Sequence, residues 1–264
     1  AASDVYKRQS DDKNFPPGKR QYTLDFAYHG GIYRDVWMIG KSSVAITDAL
    51  EADKVAGGGV FVHFDNISGK KAEVYVDTEV HNSGKRTRTV AVETVLADAG
   101  DVPVKRISQQ VKLQAGESKT VRQRFAVRNP KLWSPDSPYL YRIQSRVKAG
   151  HEVLDGGVTR VGIRKAEFKG KDGFWLNGKP FGQLVGANRH QDFAYVGNAL
   201  PNSQQWRDAK RLRDAGCTII RVAHYPQDPA FMDACDEMGL FVIVATPGWQ
   251  YWNKNPEFAK LVHR

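Results

Sequence analysis

The sequence predicts a multidomain chain in which an antiparallel β-sandwich is followed by a shorter α/β segment. Between residues 44 and 161, runs of alternating apolar and polar residues recur about every 8–12 residues, with polar turns between them. From residue 164 onward, short apolar runs alternate with segments of helical periodicity. Polar side chains cluster where these later apolar runs end, which is the edge at which parallel α/β sheets carry their chemistry.

The composition is that of an ordinary globular protein. The 264 residues are 41% hydrophobic and 26% charged, which suits two domains with apolar cores. No apolar run approaches the roughly 20 residues that a membrane-spanning helix needs. We therefore expect no membrane partner.

The formal net charge of +10 raises the question of nucleic-acid binding. Much of the excess lies between residues 105 and 165, where Lys and Arg alternate with Val, Leu, Ile and Phe. This alternation is typical of the solvent face of β-strands and not of a groove studded with aromatic side chains. We therefore expect no nucleic-acid partner.

Neither cysteine indicates a disulfide framework or a metal site. Cys217 and Cys235 both lie in the α/β segment, and their spacing is not that of metal ligands, so we expect buried free thiols. The sequence also has no Gly-rich phosphate loop, no nucleophile-elbow serine and no zinc pattern. It predicts neither a metal nor a cofactor.

The region before the sandwich divides into a tail and a predicted strand. Residues 1–9 resemble a translated sequencing adapter, and we expect them to lie outside the natural protein. Residues 10–18 are polar, contain Pro16-Pro17 and are predicted to be extended. The turn Gly30-Gly31 enters an aromatic-rich run, which predicts a strand within residues 24–39.

Six or seven strands are predicted for the sandwich itself. They cover residues 60–64, 72–80, 87–96, 107–113, 118–127, 139–147 and 158–163. Short strands at this spacing favour a sandwich of immunoglobulin type. The pattern of Cys and Trp that marks true immunoglobulin domains is missing.

The α/β segment has the order β-α-β-α-β. Asn177-Gly178 predicts a hairpin turn ahead of it. Strands are predicted over residues 181–187, 217–222 and 240–245, and helices over residues 203–215 and 229–238, with Asn202 or Ser203 capping the first helix. This order fits either the first three strands of an eight-stranded α/β barrel or part of a doubly wound sheet.

Polar and aromatic side chains follow each of these strands, at ends that converge on one rim in a parallel barrel. They are Asn188, His190 and Asp192 at the first tip, Arg221, His224 and Tyr225 at the second, and Trp249 and Trp252 at the third. Histidines can donate hydrogen bonds to sugar hydroxyls, and indole rings offer a flat apolar surface to a pyranose. We predict a shared sugar pocket at this rim.

Each of these residues also has a structural interpretation. A histidine is more often a structural or surface residue than a ligand, and we expect this of the histidines outside the rim. Arg221 could instead be a buried arginine paired with a carboxylate of the sheet. Trp249 could instead be a packing aromatic.

Three stretches of the chain resemble glycoside hydrolase family 2, of the β-galactosidase and β-glucuronidase type. Residues 30–36 resemble the end of the family's N-terminal jelly-roll domain, and residues 129–135 with 138–141 resemble a signature of its immunoglobulin-like domain. Residues 174–180, 186–190 and 221–239 resemble the opening of its TIM (β/α)8 barrel. The stretches follow the family's order.

The resemblance implies a retaining exo-β-glycosidase that acts on an oligosaccharide or glycan, with β-galactosides as the expected substrates. His190 and His224 match histidines that contact the glycone, and Arg221 matches an arginine beside the catalytic carboxylates. The expected substrate-binding residues are His190, His224, Trp249, Asn188 and Asp192, with Arg221 and Tyr225 as active-site support.

The resemblance also implies a domain layout. An adapter-like tail and jelly-roll remnant would cover residues 1–41, the immunoglobulin-like sandwich residues 42–163, and about three βα units of the barrel residues 164–264. Both catalytic glutamates follow later barrel strands in the family, so we expect residues 1–264 alone to be inactive. Thr246 to Trp249 stand where metal-binding members carry a glutamate, so no magnesium site is expected.

The sequence leaves some alternatives open. Thr218 stands where the family usually has Asn, and Val222 where it prefers a smaller residue. The rival interpretation is a non-catalytic carbohydrate-binding or scaffolding β-sandwich protein, and a weaker rival, suggested by charge alone, is a nucleic-acid-binding protein. A homo-oligomeric parent is compatible with the sequence. The compartment stays open, with a periplasmic or secreted location slightly favoured for a glycan-degrading parent.

Overall fold

The computed structural model describes residues 32–245 and 254–263. The chain forms two compact units, one from Met38–Gln183 and the other from Ala1–Trp37 with Leu184–Arg264. The predicted jelly-roll remnant lies largely outside the described residues. The described part of its strand, residues 32–39, is not a strand, because a strand needs a neighbour to pair with its backbone and no described strand pairs with it.

The first unit is built from two antiparallel sheets of four strands each. Its strands are β1 (Val44–Ile46), β2 (Val60–Asp65), β3 (Lys71–Asn82), β4 (Arg88–Ala97), β5 (Pro103–Leu113), β6 (Ser118–Arg128), β7 (Tyr141–Ala149) and β8 (Glu152–Val161). In one sheet β3 pairs with β6 along one edge and with β2 and β1 along the other. The other sheet has the order β5-β4-β7-β8. The predicted sandwich is confirmed.

Alternate residues of the two sheets form the apolar core between them. Val74 and Val76 from β3 pack in one cluster with Leu96 from β4 and Ile143 from β7, and all four are fully buried. Their neighbours along each strand point to the outer faces, as the two-residue period of a strand requires. The pattern of alternation that predicted the strands is therefore the pattern that fills this core.

The last strand of the sandwich begins earlier than expected. The sequence predicts a strand over residues 158–163, whereas β8 spans Glu152–Val161. The first half of β8 was not predicted because it contains Gly156 and Gly157, and glycine is unfavourable inside a strand. A Cβ at Gly156 would lie 2.8 Å from the carbonyl oxygen of Ser145, so close approach of the paired strand requires glycine there.

A small antiparallel sheet completes this unit. It consists of β9 (Ala166–Phe168), β10 (Phe174–Leu176) and β11 (Lys179–Pro180). Asn177 and Gly178 form the two-residue turn between β10 and β11, and both have positive φ, 53° and 81°. The predicted hairpin turn is confirmed, and its Asn-Gly pair supplies the left-handed backbone that such a turn needs.

The second unit contains a parallel three-stranded sheet with helices between the strands. Its elements are β12 (Gly186–Arg189), α1 (Asn202–Asp214), β13 (Ile219–Val222), α2 (Pro229–Met238), β14 (Phe241–Val244) and α3 (Pro256–His263). The strands lie in the order β12-β13-β14, and Asn188, Arg221 and Ile243 stand side by side across them. No described helix is both long enough and apolar enough to cross a membrane.

The helix ends follow local chemistry, with one difference from the prediction. Asp228 caps α2 by accepting from the backbone N–H of Ala230 at 2.9 Å, and Gly239 ends that helix in the left-handed conformation. The predicted cap of α1 by Asn202 or Ser203 is wrong. Pro201 is the N-cap, and its side chain has no acceptor atom. Its extended backbone, with φ fixed by the ring, starts the helix at Asn202, one residue earlier than predicted.

Helices α1 and α2 cover one face of the parallel sheet. Ile220 and Val222 from β13 are fully buried against Ala209 of α1 and Phe231 of α2. Both cysteines are free thiols, and burial raises the pKa of Cys235 to about 12, so this thiol stays protonated and unreactive at neutral pH.

The outer face of β3 carries a carboxylate held by several donors. Glu73 accepts from Lys71 Nζ at 2.8 Å, Asn66 Nδ2 at 3.0 Å and Arg124 Nη2 at 2.6 Å. These hydrogen bonds, with that of Lys71 the largest contribution, lower the pKa of Glu73 to about 2. The folded chain therefore keeps this group ionised at pH values where an unfolded chain protonates it.

Replacing Glu73 should change how the stability of the sandwich depends on pH. Because the folded pKa lies below the unfolded value of about 4.3, the stabilisation is present above that value and is lost as the pH falls toward about 2. We expect the urea midpoint of the wild-type chain to fall over this window and that of Glu73→Gln to fall less. Glu152→Gln, at the exposed start of β8, should retain the wild-type slope; equal slopes for all three chains would contradict the assignment.

Candidate active-site rim

The ends of β12 and β13 bring the two predicted histidines together. Asn188 and Arg221 are paired across these parallel strands, so the residues that follow them emerge side by side. The rings of His190 and His224 meet edge to face, with centroids 5.3 Å apart and planes at 80°. The ring of Tyr225 lies 5.9 Å from that of His190. We call this group of strand-end residues, 188–192 and 221–225, the rim.

Arg221 sets the hydrogen-bonding state of His224. Its Nη1 lies 3.0 Å from His224 Nδ1. A guanidinium can only donate, so Nδ1 must accept and the proton of the neutral imidazole resides on Nε2. The N–H donor of this ring is therefore on Nε2.

Arg189, and not Arg221, is the buried arginine that pairs with a carboxylate. Arg221 is half-buried and makes no ion pair with the described residues, whereas Arg189 is only 6% exposed. Arg189 donates from Nη2 to Asp208 Oδ2 at 2.7 Å and to Gln205 Oε1 at 2.8 Å, both on α1. It also donates from Nη1 to Gln227 Oε1 at 2.5 Å.

Arg189 is the structural residue that the sequence reasoning missed. Gln227 returns a hydrogen bond to the Arg189 carbonyl oxygen, and the guanidinium lies over the Phe231 ring at 4.0 Å. The signal was present in the strand period, since neighbouring residues of a strand point to opposite faces. Asn188 shares the open face with Arg221, so Arg189 must share the helix-covered face with Val222.

The other predicted rim residues lie in different surroundings. Asn188 and Asp192 are exposed, and Asp192 makes no hydrogen bond or ion pair with the described residues. Tyr225 is half-buried; burial raises the pKa of its phenol, and the charge of Asp192 adds to this effect. Trp249 and Trp252 lie outside the described residues. Among the described residues, no group of three or more His, Cys, Asp or Glu side chains could hold a metal ion.

Gln191 is a second residue that the sequence reasoning passed over. It is only 1% exposed, and its Oε1 accepts from the backbone N–H of Asp228 at 3.0 Å. Its own backbone N–H lies 3.4 Å from the Tyr225 hydroxyl, which accepts from it. Gln191 therefore links the tip of β12 to the segment that leads from β13 into α2.

Comparison with known proteins assigns the family. Residues 59–164 match the family model for glycosyl hydrolases family 2, and residues 167–259 match the model for the TIM barrel domain of the same family. The chain belongs to glycoside hydrolase family 2. Its parallel sheet is thus the start of a TIM barrel and not part of a doubly wound sheet.

The relatives of this family 2 chain include two kinds of glycosidase. A β-galactosidase of Thermoanaerobacter pseudethanolicus is 34% identical, with 90% of this chain and 30% of the relative covered. A β-glucuronidase of Formosa agariphila is 30% identical, with 82% of this chain and 22% of the relative covered. The crystal structure of a Bacteroides uniformis β-glucuronidase superimposes with a TM-score of 0.76 at 29% identity, covering 86% of this chain and 28% of that one. The chain spans less than a third of the length of each of these proteins.

Removing the buried arginine should destabilise the parallel unit. Arg189→Met would leave Asp208, Gln205 and Gln227 without their shared partner, and breaking a buried ion pair from one side typically costs about 3 kcal/mol. We expect this loss in the free energy of unfolding, measured by urea-dependent hydrogen exchange of peptides from α1 and α2.

Arg207→Met is the matched control for this measurement. Arg207 is an exposed arginine of α1 that donates to Gln204 on the same helix at 3.2 Å. Exposed pairs of this kind contribute little, so its stability should stay within about 0.5 kcal/mol of wild type. Equal losses in the two variants would show that the buried network is not what stabilises the unit.

Proposed function

We propose that this chain is part of a longer retaining exo-β-glycosidase that removes terminal β-linked sugars, with β-galactosides as its substrates. The edge-to-face pair of His190 and His224 on the C-terminal ends of neighbouring barrel strands carries the proposal. Family membership and the β-galactosidase among the relatives support it. In this reading the chain supplies one side of a sugar pocket.

The rim residues suit sugar binding. His224 presents Nε2–H because Arg221 occupies Nδ1, and such a donor can bind a hydroxyl or ring oxygen of the glycone. Asn188 and Asp192 add exposed polar groups beside the histidines, and Trp249 would supply an apolar wall. We assign Arg221 a second task, which is to orient a catalytic carboxylate with the remaining donors of its guanidinium.

The rim does not itself contain a catalytic pair. Retaining hydrolysis needs two carboxyl groups about 5–5.5 Å apart, one as nucleophile and one as acid and base. Asp192 is the one carboxylate in the rim, and Asp228, which follows the rim, is buried and caps α2, so it cannot also serve as the partner of Asp192. We propose that other barrel strands supply both groups and that residues 1–264 alone do not turn over substrate.

We also propose the domain layout given by the sequence. A boundary near residues 163 and 164 is supported by the adjoining family matches, which end at residue 164 and begin at residue 167. The three parallel strands and their helices would be the first three βα units of the barrel. A jelly-roll remnant would precede the sandwich.

The proposed function predicts a definite substrate preference in the longer enzyme. The gene should continue past residue 264 into a strand ending in Asn-Glu and a later strand ending in Glu. That enzyme should cleave an aryl β-galactoside with a higher kcat/KM than an aryl β-glucuronide, and the 264-residue chain should cleave neither. A continuous frame without the two glutamates would overturn the glycosidase proposal, and a preference for glucuronides would overturn only the glycone.

Replacing His224 tests the rim in that enzyme. His224→Ala removes the Nε2–H donor, and we expect turnover of an aryl β-glycoside to fall by about a hundredfold or more, with the melting temperature little changed. His151→Ala, at an exposed turn before β8, is the control and should keep wild-type turnover. An effect of His224→Ala within about twofold would remove His224 from the site.

A further inference from the structure

Arg34, which precedes the sandwich in the chain, contacts both loops of the rim. Arg34 belongs to the same compact unit as the parallel sheet. Its Nη2 donates to Gln191 Oε1 at 3.2 Å and to the carbonyl oxygen of Pro226 at 2.6 Å. Gln191 directly follows His190, and Pro226 follows His224 by two residues. One nitrogen atom thus joins the two loops that carry the rim histidines.

The acceptors of Arg34 are themselves fixed. Gln191 is buried, and its Oε1 accepts from the Asp228 backbone as well as from Arg34, so both acceptor positions of that oxygen are used. Asp228 in turn caps α2 through Ala230. The hydrogen bonds therefore run from Arg34 through the tip of β12 to the first turn of α2, with a direct branch to the tip of β13.

The chemistry of arginine suits this place. A guanidinium stays charged at any pH the protein meets, and its hydrogen bonds to neutral acceptors are stronger than those of an uncharged donor. Arg34 also lies against the Tyr33 ring, with Cζ 5.8 Å from the ring centroid. Both acceptors, the Gln191 amide oxygen and the Pro226 carbonyl oxygen, are neutral, so Arg34 holds the two loops by hydrogen bonds and not by an ion pair.

We infer that Arg34 is a positioning residue of the sugar pocket, which fixes the His190 and His224 loops relative to each other without contacting the substrate. This inference rests on the proposed function, because the spacing of the histidines affects turnover only if they bind the sugar. It gives residues of the chain before the sandwich a direct part in the geometry of the barrel rim.

The structural half of this inference is tested without any enzymatic activity. Hydrogen exchange of the 264-residue chain is followed in peptides covering residues 190–198 and 223–228, for wild type and Arg34→Ala. We expect faster exchange in both peptides of Arg34→Ala and wild-type exchange in Arg207→Ala. Unchanged exchange in Arg34→Ala, or the same increase in Arg207→Ala, would overturn the inference.

The functional half is tested in the longer enzyme. A misplacement of about 1 Å at a reacting site can cost up to a hundredfold in rate, and we expect Arg34→Ala to lower kcat about tenfold with a smaller change in KM. Arg34→Lys keeps the charge but not the planar fork, so its kcat should lie between those of wild type and Arg34→Ala. Added guanidinium ion at millimolar concentration should restore part of the kcat of Arg34→Ala and leave Arg207→Ala unchanged.

The outcomes separate this inference from the proposed function. If kcat of Arg34→Ala stays within about twofold of wild type, or if guanidinium restores nothing, Arg34 is not a positioning residue. If the longer wild-type enzyme cleaves no aryl β-glycoside, the proposed function fails, and the exchange measurement alone then decides whether Arg34 holds the two loops together.

Discussion

A buried positive charge fixes the base of the rim. Moving a guanidinium out of water is costly unless every donor finds an acceptor of good geometry. Nη1 and Nη2 of Arg189 meet this condition with acceptors from α1 and from the segment before α2, whereas Nε has no hydrogen-bond partner among the described residues; the guanidinium lies over the Phe231 ring. These acceptors come from separate elements, so they must be in place together. The tip of β12, and with it His190, is positioned by that requirement.

The strand period divides the sheet into a face covered by helices and an open face. Arg189 and Val222 point toward the helices and are buried, whereas Asn188 and Arg221 point to the open face. The parallel register pairs Asn188 with Arg221 and Arg189 with Val222, so His190 and His224, which follow them, lie next to each other. The polar residues of the two tips therefore fall into a buried set that stabilises the fold and a more exposed set that we propose binds sugar.

The sandwich reaches stability by a different route. Its interior is filled by aliphatic side chains such as Val74, Val76 and Ile143, and charged groups stay on its outer faces. The carboxylate of Glu73, with its depressed pKa, shows that even on such a face several donors can converge on one group.

Local features of the sequence determined much of this architecture. The apolar alternation located the strands of the sandwich, the Asn177-Gly178 pair specified the turn between β10 and β11, and the span of α2 followed from a Pro at its start and a Gly after its end. These signals are encoded within a few residues of the backbone they control, so they can be read directly. The strand-end rule likewise brought His190 and His224 to one rim.

Other features were decided only when distant segments met. The pairing of Arg189 with Gln227 joins residues 38 positions apart, and that of Arg34 with Pro226 joins residues 192 positions apart. The early start of β8 also depends on its pairing with β7. Sequence patterns report which face of an element is apolar, but not which polar group will meet another across the fold. That choice belongs to the tertiary structure, because the energy of a buried polar contact exists only once both partners have left water.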